Sequence, residues 1–225
     1  MTDKLRLSIT ALVKGICGFA IMGALLFISA GSLAFINGWL FLITLALLMF
    51  IMFAVLIVKH PETLRRRLKS KEPEKAQKLY VAILGILFLC AFILAGLDYR
   101  FRWSSMPRWV PAAALVIMCT GYALYGAVIL QNAYASRVVT VESGQRVIDT
   151  GLYAIIRHPM YLACLLLFLA MPLALGSYVS AVLMLAFPVV LVRRIKNEEA
   201  VLLAELDGYA AYMKKTKYRL IPFVW

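Results

Sequence analysis

Hydrophobic positions in this chain fall into long uninterrupted blocks, with the polar residues gathered between them. Four blocks are long enough to cross a bilayer as helices, which takes about 20 mostly apolar residues. They cover residues 11–35, with Lys14 the one charge near its start, then 38–58, 79–97 and 109–130. Two shorter blocks follow at 161–175 and 178–192, joined by Gly176-Ser177 and each carrying a proline near its end, Pro172 and Pro188. This pair predicts either a helical hairpin that dips into the membrane and returns, or two tilted spans. Irregular backbone at membrane depth survives only where protein or a water-filled cavity covers it, so a hairpin would have to pack against the other helices. The pattern predicts an all-α, polytopic transmembrane helical bundle: four full spans, a C-terminal helical hairpin and a cytoplasmic C-terminal helix.

Composition agrees. The 225 residues are 64% hydrophobic with a mean hydropathy of +0.88, whereas soluble chains run about 45–50% apolar. The first block exceeds the h-region of a signal peptide, so it is expected to be retained. The ending Phe223-Val224-Trp225 is not a prenylation box.

The net charge of +13 would suit nucleic acid if the cations lay on a soluble surface. They lie instead in short loops between apolar blocks, the usual arrangement of cytoplasmic loops facing anionic lipid. With the N-terminus inside, every Lys and Arg except Arg100, Arg102 and Arg108 falls on the cytoplasmic side. That bias predicts cytoplasmic N- and C-termini in a multi-pass integral membrane protein, in the inner membrane if the source is bacterial. Trp39, Trp103 and Trp109 stand at block ends as interfacial aromatics do. The expected partner is therefore the lipid bilayer, and nucleic acid is not expected. Cys17, Cys90, Cys119 and Cys164 lie inside apolar blocks without metal-ligand spacing, and the two histidines, His60 and His158, are far apart in the chain. No metal is expected.

Residues able to do chemistry concentrate after Gln131. The polar segment 132–157 leads into Arg157-His158-Pro159-Met160-Tyr161 at the mouth of the proposed hairpin, which exits into Arg193-Arg194-Ile195-Lys196-Asn197-Glu198-Glu199. Antiparallel arms would bring the cationic entry and the acidic exit to one rim, a candidate site. Each residue has a plainer reading. Arg157 and His158 suit positive-inside anchors, and Pro159 suits a first helical position. Glu198 and Glu199 suit an exposed helix face, with Arg194 and Glu198 an i,i+4 pair worth a few tenths of a kcal/mol. Tyr209 and Tyr212 suit interfacial aromatics.

The ordered series is more specific than its parts. It runs Gly151-Leu152-Tyr153, Arg157-His158-Pro159-x-Tyr161, Arg194-x-x-x-Glu198-Glu199-x-x-Leu202, Leu206-Asp207-Gly208-Tyr209-x-x-Tyr212 and Leu220-Ile221-Pro222-Phe223. This series resembles the isoprenylcysteine carboxyl methyltransferase family, over roughly residue 132 to the end. A weaker likeness to bacterial members extends to His60-Pro61-Glu62-x-Leu64-x-Arg66-Arg67-Leu68, and the related phospholipid N-methyltransferases share the acidic pair. The resemblance implies a membrane core of about five helices binding S-adenosylmethionine at its cytoplasmic face and releasing S-adenosylhomocysteine. It assigns cofactor contacts to Thr140, Gln145, Arg146, Val147, Ile148, Tyr153, His158, Pro159, Met160, Tyr161 and Glu198, and sets Arg194 at the substrate. It also divides one integrated membrane domain into N-terminal transmembrane helices, 1–131, and a catalytic region binding the methyl donor, 132–225.

The chemistry is consistent with those assignments. The methyl donor carries a sulfonium, an ammonium, a carboxylate and an adenosine. Glu198 suits the ammonium, His158 and backbone N–H groups suit the carboxylate, and Tyr153 with Tyr161 offer walls for the base. Arg194 or Arg157 would hold a carboxylate acceptor by paired hydrogen bonds. An amine acceptor, as in a phospholipid N-methyltransferase, would need a route for its proton, for which Glu199 stands nearest. The acceptor is expected to be a lipophilic small molecule or lipid-modified substrate entering sideways from the bilayer. A non-enzymatic transporter or scaffold is the contrasting reading. Transport predicts ionisable residues at mid-membrane depth, and none occurs between residues 20 and 58 or between 79 and 97.

Overall fold

The computed structural model describes residues 3–68, 75–132, 134, 141 and 144–225. Among these the regular elements are all helices: α1 (Asp3–Ala30), α2 (Ile36–Lys59), α3 (Pro61–Leu68), α4 (Lys75–Phe101), α5 (Trp109–Gln131), α6 (Leu152–Ile155), α7 (Pro159–Ala174), α8 (Tyr178–Met184), α9 (Ala186–Glu205) and α10 (Tyr209–Lys215). Five stretches are long and apolar enough to cross a membrane: Leu5–Ala30, Ile36–Lys59, Ala76–Phe101, Trp109–Gln131 and Tyr178–Glu205. The chain is a multi-pass membrane protein of helical-bundle architecture. Its outer faces carry exposed Ile16, Ile28, Ile43, Phe50, Ile86 and Val116, side chains that only lipid would cover.

The second to fourth spans fall where the apolar blocks place them, α1 is shifted towards the N-terminus and ends at Ala30 rather than Phe35, and the fifth is longer than its block. The second hairpin arm does not end at Val192. Its helix runs on through the charged stretch to Glu205, interrupted only at Leu185. Pro188 explains the interruption, because it has no N–H to give the Met184 carbonyl four residues back. The first arm, α7, stays short.

The depth of the pair is set by its turn. Gly176 adopts φ +82, a left-handed conformation suited to glycine, and its α-carbon faces the Asn37 side chain near the start of α2. The next residue, Ser177, donates its hydroxyl to Asp98 near the end of α4 and caps α8 by accepting from the Ser180 N–H at 3.0 Å. Asp98, only 2% exposed, also accepts from the Ser104 N–H at 2.7 Å and the Ser104 hydroxyl at 2.6 Å. The arms thus reach the same end of the bundle as α2 and α4. The turn therefore lies level with the start of α2 and the end of α4.

Close contact between α5 and α7 fixes the first arm. A Cβ at Gly121 would lie 3.0 Å from Leu166 Cβ and 3.1 Å from the Leu167 nitrogen, so the backbones approach as small-residue helix contacts allow. The central core joins Leu26, Ala91, Met118, Leu167, Ala170, Met184, Phe187 and Ile195 from α1, α4, α5, α7, α8 and α9. At the opposite end from the Asp98 network, Leu7, Leu56, Leu64, Ile129 and Met160 cluster. That is the basic end, and the candidate site lies there.

Candidate active site at the basic end of the bundle

Helix α7 starts with Pro159 at its first position, where a missing N–H costs nothing. The residues before it are extended, and their backbone is held by the end of the chain. Arg157 N–H donates to the Tyr218 carbonyl at 2.9 Å and His158 N–H to the Arg219 carbonyl at 2.8 Å. Helix α9 returns alongside, so the Arg157-His158 entry and the Glu198-Glu199 exit meet. They meet within hydrogen-bonding distance.

Glu199 is the hub. Arg157 Nε donates to its Oε1 at 2.7 Å, His158 Nε2 lies 3.2 Å from the same oxygen, and Arg219 Nε donates to Oε2 at 2.7 Å. An ionised carboxylate only accepts, so His158 carries its hydrogen on Nε2. Arg157 also donates to the carbonyls of Thr216 and Lys217, each at 2.8 Å. Arg157, His158 and Glu199 are 6%, 5% and 3% exposed. The plainer readings of surface anchors and an exposed acidic face therefore do not hold for these three.

Glu198 occupies a different position. It is half-buried and accepts the hydroxyl of Tyr161, to which Arg194 Nε also donates at 3.0 Å. A second layer orients α9: the buried Gln77 donates to Asn197 Oδ1 at 2.7 Å and to the Arg194 carbonyl at 3.3 Å. Thus one acidic residue is locked inside a cationic clamp, and its neighbour sits on the more open side beside a tyrosine and an arginine.

The third wall comes from α6, α9 and α10. Leu206, Tyr209 and Tyr212 form a buried cluster against Val147, Tyr153 and Leu202. Tyr153 accepts from Asn132 Nδ2 at 2.9 Å through its hydroxyl, and its carbonyl accepts the Tyr212 hydroxyl at 2.8 Å. Burial pushes the Tyr153 hydroxyl up to about 12, with the Asn132 hydrogen bond pulling the other way, so at neutral pH it serves as a wall and a hydrogen-bonding group. Burial also raises Tyr209 and Tyr212 above the usual phenol range. At the surface, Lys215 bonds Asp149 at 2.7 Å and holds that carboxyl below its ordinary range.

Most sequence-expected residues converge on this end. Arg157, His158, Pro159, Tyr161, Arg194, Glu198 and Glu199 form the rim, and Tyr153 and Val147 join the wall. Gln145 and Ile148 are half-buried in the same loop, whereas Arg146 is exposed. Met160 turns the other way, its sulfur 4.0 Å from Arg67 Nη1. Thr140 lies outside the described residues. Sequence reasoning did not name Arg219, Gln77 or Asn132. Arg219 adjoins the Leu220-Ile221-Pro222-Phe223 stretch, the one available hint, but a lone arginine there reads as another positive-inside cation.

Residues 112–204 match the model of the isoprenylcysteine carboxyl methyltransferase (ICMT) family. Among curated proteins, the chain is 24% identical over 136 residues to the Delta(14)-sterol reductase of Methylotuvimicrobium alcaliphilum, covering 54% of this chain and 32% of that one. The chain thus spans about a third of that relative's length. Among solved structures it is similar to the eukaryotic intramembrane Ras methyltransferase ICMT. The TM-score is 0.56 at 17% identity, covering 95% of this chain and 86% of that one. At that identity the likeness is one of fold.

Proposed function

We propose that this chain, which over residues 112–204 belongs to the isoprenylcysteine carboxyl methyltransferase family, is an integral membrane methyltransferase that uses S-adenosylmethionine to methylate a lipophilic acceptor. The observation that carries the reading is the meeting of the two arms, with His158 Nε2 3.2 Å from Glu199 and Glu198 held beside Tyr161 and Arg194. In this reading the termini face the cytoplasm and residues 132–225 form the donor-binding region.

The donor set fits the cofactor. Glu198 would take the ammonium, since it is the acidic group on the open side of the rim. Tyr153, Val147 and Tyr161 would wall the adenosine and the sulfonium. When bound, S-adenosylmethionine supplies an electrophilic methyl on a sulfonium and leaves as neutral S-adenosylhomocysteine. Arg194, fixed by Tyr161, would orient an anionic acceptor oxygen. A site that excludes water then favours the meeting of anion and sulfonium, because both charges vanish in the transfer. We assign Arg157, His158 and Glu199 to positioning: they hold the start of α7 against α9.

The acceptor type follows from Glu199. An amine must lose a proton, and Glu199, the base available in sequence, has both oxygens committed to cations. A carboxylate acceptor loses none and needs no base. The geometry therefore favours O-methylation of a lipophilic acid over N-methylation of a phospholipid headgroup. The sterol relative suggests a reductase as the second reading, which would need a hydride donor.

The test is an assay of purified protein in lipid nanodiscs with radiolabelled methyl donor and lipophilic carboxylic acids. We expect base-labile label in the acceptor, as a methyl ester gives, and at least a hundredfold loss in Arg194→Ala. NADPH consumption without methyl transfer would sink the proposal in favour of the reductase.

A further inference from the structure

The motif series contains Gly151-Leu152-Tyr153, and the wall of the site uses only its tyrosine. The glycine has its own task. Gly151 takes φ +56 and ψ −125, and the Tyr153 N–H donates across it to the Thr150 carbonyl at 3.1 Å. Those angles are those of the first central position of a type II′ turn, where glycine dominates because a side chain is strained there. The turn sends the chain into α6 and sets where Tyr153 falls.

A side chain from another element holds this corner. Gln131, the last residue of α5, donates from Nε2 to the Thr150 carbonyl at 2.9 Å and accepts the Leu152 N–H on Oε1 at 3.1 Å. One amide thus bonds both neighbours of Gly151 and passes over its α-carbon. A Cβ at Gly151 would come within 1.7 Å of Gln131 Nε2. Asn132 continues the grip. Its Oδ1 accepts the Tyr134 N–H at 2.9 Å, which leaves Nδ2 to donate to the Tyr153 hydroxyl at 2.9 Å. A backbone N–H only donates and a backbone carbonyl only accepts, so neither amide can turn over without losing a bond.

We propose that Gln131 and Asn132 are positioning residues for the methyl donor: their amides clasp the corner at Gly151 and set the Tyr153 ring against the adenosine. The assignment rests on the methyltransferase reading and deepens it, naming what holds the wall for the base. A plain fastening of loop to helix would serve at any point along the loop. Here two adjacent amides converge on one tyrosine, through the turn before it and through the tip of its ring, while α10 ties its carbonyl through the Tyr212 hydroxyl.

The experiment titrates the full chain in lipid nanodiscs with two nucleosides: S-adenosylhomocysteine, and methylthioadenosine, which keeps the adenosine and thioether but lacks the amino-acid part. Gln131→Ala should weaken both by the same factor, at least fivefold, because the adenosine is common to them. Gln131→Met, similar in length but without an amide, should match Gln131→Ala, which assigns the effect to hydrogen bonds rather than to volume. Gly151→Ala should weaken both at least tenfold by driving the amide off the corner. Glu198→Gln, by contrast, should weaken S-adenosylhomocysteine alone. The unfolding temperature of Gln131→Ala should stay near that of the wild type, since the clasp is exposed at the edge of the bundle. Unchanged affinities in Gln131→Ala, full affinity in Gln131→Met, or a loss confined to S-adenosylhomocysteine would overturn the proposal. So would a wild type that takes S-adenosylhomocysteine but not methylthioadenosine. A wild type that binds neither nucleoside would overturn the methyltransferase reading itself, a result in which the Gln131 variants play no part.

Discussion

Removing the Glu199 carboxylate would leave the Arg157 guanidinium buried with only carbonyl partners, and take from His158 Nε2 its contact with Oε1. Breaking one partner of a buried ion pair costs about 3–5 kcal/mol. Glu199→Ala is therefore expected to lower the thermal unfolding temperature in detergent markedly, and Glu199→Gln less, since an amide oxygen still accepts from Arg157. Equal stability of Glu199→Ala and the wild type would contradict the clamp. Glu198→Gln differs: it removes a charge from a half-buried position tied to one tyrosine hydroxyl, so it should weaken donor binding about tenfold or more with little change in stability. At this scale the sequence named the rim through its ordered motif, but it could not divide the labour within Glu198-Glu199. Adjacent residues on a helix point about 100° apart, and only the path of α9 decides which one turns into the clamp. Arg219 was illegible for a similar reason, as its partner stands twenty positions away across the fold.

At the scale of elements, the turn between α7 and α8 carries the next test. Asp98 receives three hydrogen bonds from Ser104 and Ser177, and hydrogen bonds to a charged group contribute about 1.5–3 kcal/mol each. Asp98→Ala should destabilise the bundle by on the order of 3 kcal/mol or more. It should leave S-adenosylhomocysteine affinity within about twofold, because the network lies at the far end from the rim. An unchanged unfolding temperature would show that the turn is not latched there. The four long spans were legible because each is a continuous apolar block between polar loops. The length of the fifth was not. Its second half is charged, and a helix that leaves the apolar core while still packing on α4 and α7 gives no hydropathy signal. Helix α3 was hidden too, since half of its eight residues are charged and only Thr63 and Leu64 are buried.

For the whole molecule, both chain ends lie at the basic end: Leu7 packs there with Leu56 and Leu64, and Arg219 closes the Glu199 clamp. Combined with the charge bias, this predicts that reporter domains fused to either terminus report a cytoplasmic location, and opposite locations would contradict the arrangement. The orientation rests on the Lys and Arg bias, and the structure adds that both ends lie on one side. The central claim is that the two arms of the C-terminal pair build one site for a charged nucleoside derivative, and calorimetric binding of S-adenosylhomocysteine to the detergent-solubilised chain tests it most directly. Saturable binding by the wild type, weakened at least tenfold in both Glu198→Ala and His158→Ala, is the expected result; no binding by folded wild-type protein, or binding indifferent to both substitutions, would contradict it.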